Sequence, residues 1–225
     1  MSEFEDIREV LFKPQPQIRL DRWETALLII DMQYYDAHPD YGVCLKARQE
    51  EREEQIHYYL DRLNEIIPRI RRLQNAFRAK SMEVIHVRIA SLTQDGRDRS
   101  LQHKDAGVHI PPGSKEAEIL EELRPVGDEI VFSKTAGSVF PSTNIDYVLR
   151  NLGIKQLVIV GVVTYGCVES AVRDAIAHNY SVVLVEDACA SLTEESHKNA
   201  LRERIATQAN VRSTDDVIRE VEGLK

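Results

Sequence analysis

The chain has 225 residues, 43% of them apolar, with a formal charge of −8 and a pI near 5.4. That length fits a single domain, 1–225, able to bury roughly 70% of the surface of its unfolded chain. The acidic balance argues against nucleic acid or an acidic membrane as a partner. No apolar stretch reaches transmembrane length, and Cys44, Cys167 and Cys189 have neither metal nor disulfide spacing.

The first ten residues are acidic and lack the basic start and apolar core of a signal peptide, so a reducing cytoplasm is the expected setting. Residues 3–12 read as a short helix ended by Pro14 and Pro16, within an N-terminal arm over 1–20. Residues 25–31 are a continuous apolar run closing on a carboxylate, Asp31, the pattern of a buried parallel strand. Residues 45–80 form a long helical segment in which Leu60, Leu63, Ile67, Ile70 and Leu73 recur at helical spacing. Pro68 is expected to kink or split it.

A second strand is predicted over 83–89. A long polar loop follows over 91–113, and loops of that length are commonly functional. A helix is predicted over 114–123, a third strand over 129–132, and a helix over 145–152 closed by Gly153. The fourth strand, 157–162, leads through a short turn into a helix over 167–178. A fifth strand over 181–185, a helix over 194–206, a short strand around Val211 and a helix over 214–221 complete the chain. This alternation predicts an α/β fold: a doubly wound, mainly parallel sheet with helices on both faces.

Three strand ends carry reactive groups. Cys167 follows the fourth strand and opens a helix, where backbone N–H groups and the helix dipole favour a thiolate. Asp31 closes the first strand, and Lys134 projects just beyond the third. In open parallel sheets the carboxyl ends of strands are where sites form. Cys44 and Cys189 read as packing residues, and His86 and His178 as packing or capping residues.

These residues resemble the isochorismatase-like cysteine hydrolases. The likeness is carried by Ile30-Asp31-Met32-Gln33, by Lys134 with Ser138 and Phe140, and by Gly161 to Asp174, and it extends from about Thr25 to Val217. The resemblance implies a catalytic Asp31, Lys134 and Cys167. It also implies cleavage of C–N bonds in small amides and ureido compounds through a thioester, as in the N-carbamoylsarcosine, ureidoacrylate, biuret and triuret hydrolases. In such a reaction Asp31 is the proton carrier and Lys134 offsets negative charge. The oxyanion donors are expected at Thr164 and Cys167, with a cis peptide at Val163–Thr164 as relatives carry.

Candidate substrate-binding residues beside the strand ends are Gln33, Tyr34, Tyr35, Arg88, Phe140 and Tyr165. Arg88 offers a fork of donors for a carboxylate or urea carbonyl. The Asp-x-His motif that binds metal after strand two in nicotinamidases is missing from His86-Val-Arg-Ile-Ala-Ser. No metal or cofactor is therefore expected, and Asp36-Ala-His38 reads as a polar loop. Two other readings stay open: vinyl ether cleavage of the isochorismatase kind, which Cys167 argues against, and a non-catalytic scaffold. Relatives are commonly dimers or tetramers. Val108, Ile110 and Pro111 in the long loop, and Phe4, Ile7, Leu11 and Phe12 in the arm, have few evident partners, so a homo-oligomer, a tetramer before a dimer, is expected.

Overall fold

The structure is a computed structural model and describes residues 17–205 and 208–225. The helix expected over 3–12, with most of the arm to which it belongs, lies outside the described residues. Six strands form one parallel sheet: β1 (Thr25–Ile30), β2 (Glu83–Ile89), β3 (Val131–Lys134), β4 (Gln156–Val162), β5 (Ser181–Ala190) and β6 (Asn210–Arg212). Their order is β3-β2-β1-β4-β5-β6. The winding therefore reverses between β1 and β4, and a crevice opens there at the carboxyl ends of the strands.

Both faces of the sheet are covered. Leu27, Ile29, Val84, Val158, Val160, Val183 and Val185 face one core with α3 (His57–Ala79) and α8 (Thr214–Gly223). Leu28, Ile30, Ile85, Val87, Leu157, Ile159 and Leu184 face the other, with α5 (Ile145–Asn151) and α6 (Glu169–Ala177). Strand residues alternate between the cores because successive side chains point to opposite faces. Shorter helices are α1 (Tyr34–Ala37), α2 (Gly42–Gln49), α4 (Leu101–Asp105) and α7 (Glu194–Asn199).

Several elements depart from expectation for identifiable reasons. The segment predicted as one helix from 45 divides before His57, at a 3-10 turn over Glu53–Ile56, and not at Pro68. Pro68 lies inside the unbroken α3 on its exposed side, where the carbonyl it leaves without a donor can meet water. The predicted helix over 114–123 is two 3-10 turns, Lys115–Ala117 and Glu121–Leu123. Its backbone serves the end of β1 instead: Tyr34 N donates to Glu118 O and Leu120 N to Met32 O. β3 begins two residues later than predicted, so Lys134 is its last residue and not a loop residue.

β5 continues to Ala190 through Glu186 and Asp187. Asp187 is held by the N–H and hydroxyl of Thr214, at 2.7 and 2.8 Å. The pairing of β4 with β5 shifts register between Ile159 and Gly161. At that irregularity Gly161 has φ +116°, and a Cβ there would meet Ile30 O at 2.1 Å. Only glycine permits this approach of β4 to β1.

Gly161→Ala should therefore lose well over the ~1 kcal/mol of an ordinary substitution. Urea unfolding would show it as a lowered midpoint, and an unchanged midpoint would contradict the close approach.

Candidate active site

Three strands bring the acid, the cation and the thiol together. Asp31 follows β1 with φ +52°, a left-handed conformation that Asp tolerates better than most residues, and its N–H donates to Val87 O at 2.9 Å. Lys134 ends β3, paired in register with Ile89 of β2. Lys134 Nζ lies 2.9 Å from Asp31 Oδ2, and each side chain is only 1% exposed. The ammonium also donates to the carbonyls of Ala136 and Gly137, each at 3.2 Å, and to Cys167 Sγ at 3.2 Å. Asp31 Oδ1 has no hydrogen-bond partner, and Oδ2 meets the ammonium outside hydrogen-bond geometry. The carboxylate thus keeps acceptor capacity.

Cys167 does not open an α-helix. It lies in a π-helical turn, Thr164–Val168, that joins β4 to α6. The turn closes on Val163, whose carbonyl accepts from Gly166 N at 3.0 Å and Val168 N at 3.3 Å. The cis peptide is Val162–Val163, one bond earlier than expected, where β4 ends. Thr164 is fully buried, and its Oγ1 lies 2.8 Å from His197 Nδ1.

Charge in the cluster is set mainly by burial. Burial pushes the Cys167 thiol up, Asp31 adds to this, and Lys134 opposes it. The thiol therefore stays protonated at rest, contrary to the thiolate that a helix N-terminus would favour. Burial also raises Asp31 above the ordinary aspartate value, against the pull of the Lys134 cation. Burial works against the Lys134 ammonium, but Asp31 and Cys167 outweigh it, and the cation is held above its usual value. A resting thiol beside a carboxylate of raised proton affinity, with a fixed cation against both, is an arrangement for moving one proton between sulfur and oxygen.

The expected pocket residues divide. Tyr35 and Cys167 pack against Ile89, Ala90, Ile110 and Ala117 with Val108, so the long loop forms an apolar wall beside the sulfur. Ile110, expected to need a second protomer, is buried within this chain. Burial raises the Tyr35 hydroxyl to about 12. Tyr165, the second residue of the Thr164–Val168 turn, is 42% exposed.

Tyr34 stacks on His38 at 4.8 Å, with Lys115 Nζ over its ring at 3.9 Å, and the remaining three serve as structure. Gln33 donates to Ile89 O and Glu116 O at 2.9 Å and accepts from Ile89 N, which uses both ends of its amide. Arg88 donates to Ser133 Oγ and Ala117 O at 3.0 Å, tying a 3-10 turn to the sheet. Phe140 stacks on His178 at 5.2 Å and lies 6.0 Å from Tyr180, which immediately precedes β5, away from the strand ends that carry Cys167.

Two more titratable groups lie near the cluster, and one of them, Asp36, expected in a polar loop, stands on α1 instead. Asp36 is a second acid near the cluster: burial, then the charge of Asp31, pushes its carboxyl well above the usual range, and its Oδ2 has no partner. Its position five residues after Asp31, on α1, was the available signal. His103 on α4 is buried, and burial with the charges of Lys134 and Arg99 lowers its pKa to about 4. Among the described residues no group of three or more His, Cys, Asp or Glu is arranged to hold a metal ion, and no helix is long and apolar enough to cross a membrane.

An isochorismatase domain model matches residues 25–216. The chain belongs to the isochorismatase family. It is 30% identical over 198 residues to the ureidoacrylate amidohydrolase RutB of Agrobacterium fabrum, spanning 78% of this chain and 79% of that one. It is 28% identical over 167 residues to the N-carbamoylsarcosine amidase of an Arthrobacter species, spanning 71% of this chain and 62% of that one. It superposes on the crystal structure of a cysteine hydrolase from Pseudomonas syringae pv. phaseolicola with a TM-score of 0.79, over 93% of this chain and 98% of that one. At 24% identity, that likeness speaks for the family fold alone.

The buried imidazole of His103 also has a measurable consequence. The unfolded chain protonates it near pH 6.5, whereas the folded protein does so only near pH 4. Its contribution to stability is complete above pH 6.5 and is lost as pH falls from 6.5 toward 4. The fall in Tm across that window should be shallower in His103→Asn than in the wild type; parallel curves would refute the assignment.

Proposed function

We propose that this isochorismatase-family hydrolase is a cysteine amidohydrolase that needs no metal. It cleaves a C–N bond of a small linear amide, ureido or biuret-type compound through a thioester. The observation that carries the reading is the convergence of Asp31, Lys134 and Cys167, with Nζ 2.9 Å from the carboxylate and 3.2 Å from the sulfur. The relatives named as acting on ureidoacrylate and N-carbamoylsarcosine both process ureido groups, which supports that substrate class.

The chemistry follows from the charges. Cys167 Sγ attacks the carbonyl carbon as Asp31 takes the thiol proton. The raised proton affinity of Asp31 suits it to that task better than an ordinary aspartate. Backbone N–H groups of the Thr164–Val168 turn, those of Thr164 and Cys167, stabilise the oxyanion. The C–N bond breaks as Asp31 returns the proton to nitrogen, and ammonia or an amine leaves. Water then attacks the thioester, giving its proton to the same carboxylate, and the thiol is restored. Lys134 stays charged throughout and limits the cost of the negative charge as it moves between oxygen and sulfur.

Ammonia release from a panel of biuret, triuret, ureidoacrylate and N-carbamoyl amino acids tests the reading. Cys167→Ser should fall to background with its circular dichroism unchanged, because a hydroxyl is a poor nucleophile here. Mass spectrometry during turnover should find the acyl adduct on Cys167 and not on Cys44 or Cys189. Turnover that survives in Cys167→Ser sinks the thioester route. Activity lost to EDTA and restored by zinc or manganese sinks the metal-free one.

The pH profile gives an independent check. Burial raises the Asp31 carboxyl, so the acid limb of kcat/KM should titrate above the ~3.9 of an unperturbed aspartate. Activity should rise through that limb as the base form appears. Asp31→Asn should abolish turnover at every pH, since an amide cannot carry the proton.

A further inference from the structure

The turn that presents Cys167 is held by a side chain that the reaction does not use. Thr164, the first residue of that turn, is fully buried and bonds through Oγ1 to His197 Nδ1 at 2.8 Å. His197 lies on α7 and is only 8% exposed. That helix has a fixed start, since Thr193 Oγ1 accepts from Ser196 N. The groups whose charges bear on the imidazole are Arg62 of α3 and, on its own helix, Glu194 and Lys198. Arg62 is itself anchored, donating to Cys189 O at 3.1 Å. Burial first, and then the Arg62 cation, lower the imidazole pKa to about 4, so it is neutral at physiological pH.

The bond constrains the turn in a specific way. A threonine χ1 is already stiff, and fixing Oγ1 fixes the rotamer and the backbone orientation at Thr164. Three residues later the same turn carries the sulfur, which Lys134 holds from the other side. The turn is thus clamped at its first residue by α7 and at Cys167 by β3.

We propose that His197 is a positioning residue. Through Thr164 it fixes the turn, keeping the Thr164 N–H and the Cys167 sulfur aligned on one carbonyl. It touches neither the substrate nor the reacting atoms. The inference rests on the amidohydrolase reading for its kinetic effect, and on the Thr164–His197 bond for its structural one.

The test compares His197→Ala, His197→Asn and Thr164→Val. An asparagine amide can reach the place of Nδ1, whereas alanine cannot. His197→Ala should lower kcat roughly 10- to 100-fold, the scale of a ~1 Å misplacement, with KM within about threefold. His197→Asn should recover most of the loss. Thr164→Val should match His197→Ala, and the double variant should be no worse than either single one, because both remove the same bond. A second readout needs no substrate: the rate at which iodoacetamide alkylates Cys167, followed by peptide mass. It should change at least threefold, in the same direction, in His197→Ala and Thr164→Val, and return toward wild type in His197→Asn.

A folded His197→Ala protein with unchanged kcat overturns the proposal, as do additive losses in the double variant or an unchanged alkylation rate. A role in stability alone would lower Tm and leave both readouts in place. If His197→Ala does not fold, Thr164→Val, which keeps the side-chain shape, carries the same comparison. If the wild type turns over nothing on the panel, the amidohydrolase reading fails, and the alkylation rates still decide the role of His197.

Discussion

The contact between Asp31 and Lys134 joins two full charges from which water is excluded, and the arrangement of the site follows from accommodating it. Removing such charges from water costs several kcal/mol each, and their attraction repays this only when the remaining donors are also satisfied. The ammonium meets that condition through the carbonyls of Ala136 and Gly137 and the sulfur of Cys167. The carboxylate meets it only in part, since its Oδ1 has no partner. A pair built for stability alone would gain from filling that valence. Leaving it open keeps an acceptor ready beside a protonated thiol, so the pair is better explained by chemistry than by folding energy.

Holding these groups requires three strand ends that are far apart in sequence, and the strand order supplies them. Because the winding reverses at β1 and β4, the ends of these two neighbouring strands face a crevice with no crossover above it. Gly161 lets β4 come against Ile30, and the chain then turns within a few residues to present Cys167. β3 lies two strands away, yet Lys134 bridges the gap with a long side chain, which an arginine or a shorter cation would not do in the same way. The loop over 91–113 closes the remaining side: Ser100 N donates to Thr135 O, and Ile110 packs beside the sulfur.

How much of this was legible depended on whether an element answers to its own sequence or to its neighbours. β1 and β4 are buried on both faces, so each reads as a nearly continuous apolar run, with Asp31 just after β1 and Gly161 near the end of β4. The second half of β5 was hidden because Glu186 and Asp187 interrupt that run, and Asp187 is explained by distant partners, the Thr214 groups it accepts from 27 residues on and Arg69 of α3. The segment over 114–123 has helical composition, but its backbone is drawn off by the end of β1. Gln33, Arg88 and Phe140 stand at or beyond the ends of β1, β2 and β3 and still face other tasks, because a place near a strand end does not say which face or which backbone a side chain serves. Asp31 and Lys134 stand where β1 and β3 stop, so their convergence depends on little beyond the strands themselves, whereas Cys167 is placed by the turn that follows β4. His197 could not be found in this way. Its role comes from a contact 33 residues distant, on a helix with no reactive neighbours in sequence.

The same burial governs the protons. Taken singly, each ionised group in the cleft is disfavoured by exclusion of water, and only one combination of charges is self-consistent. Lys134 carries its charge because Asp31 is beside it. Asp31 can be an anion because Lys134 is beside it, though its proton affinity stays above normal. A third charge nearby must then be suppressed: the Cys167 thiol and the Asp36 carboxyl are both pushed toward their neutral forms, each with the charge of Asp31 as the second cause after burial. The directions of these shifts favour one anion and one cation in the cleft at rest. A proton taken from sulfur moves the negative charge without adding to it, and the fixed ammonium lies within 3.2 Å of both positions that the charge can occupy. On the proposed mechanism, that conservation of charge within a buried cleft is what would let a thiol of raised pKa act as the nucleophile.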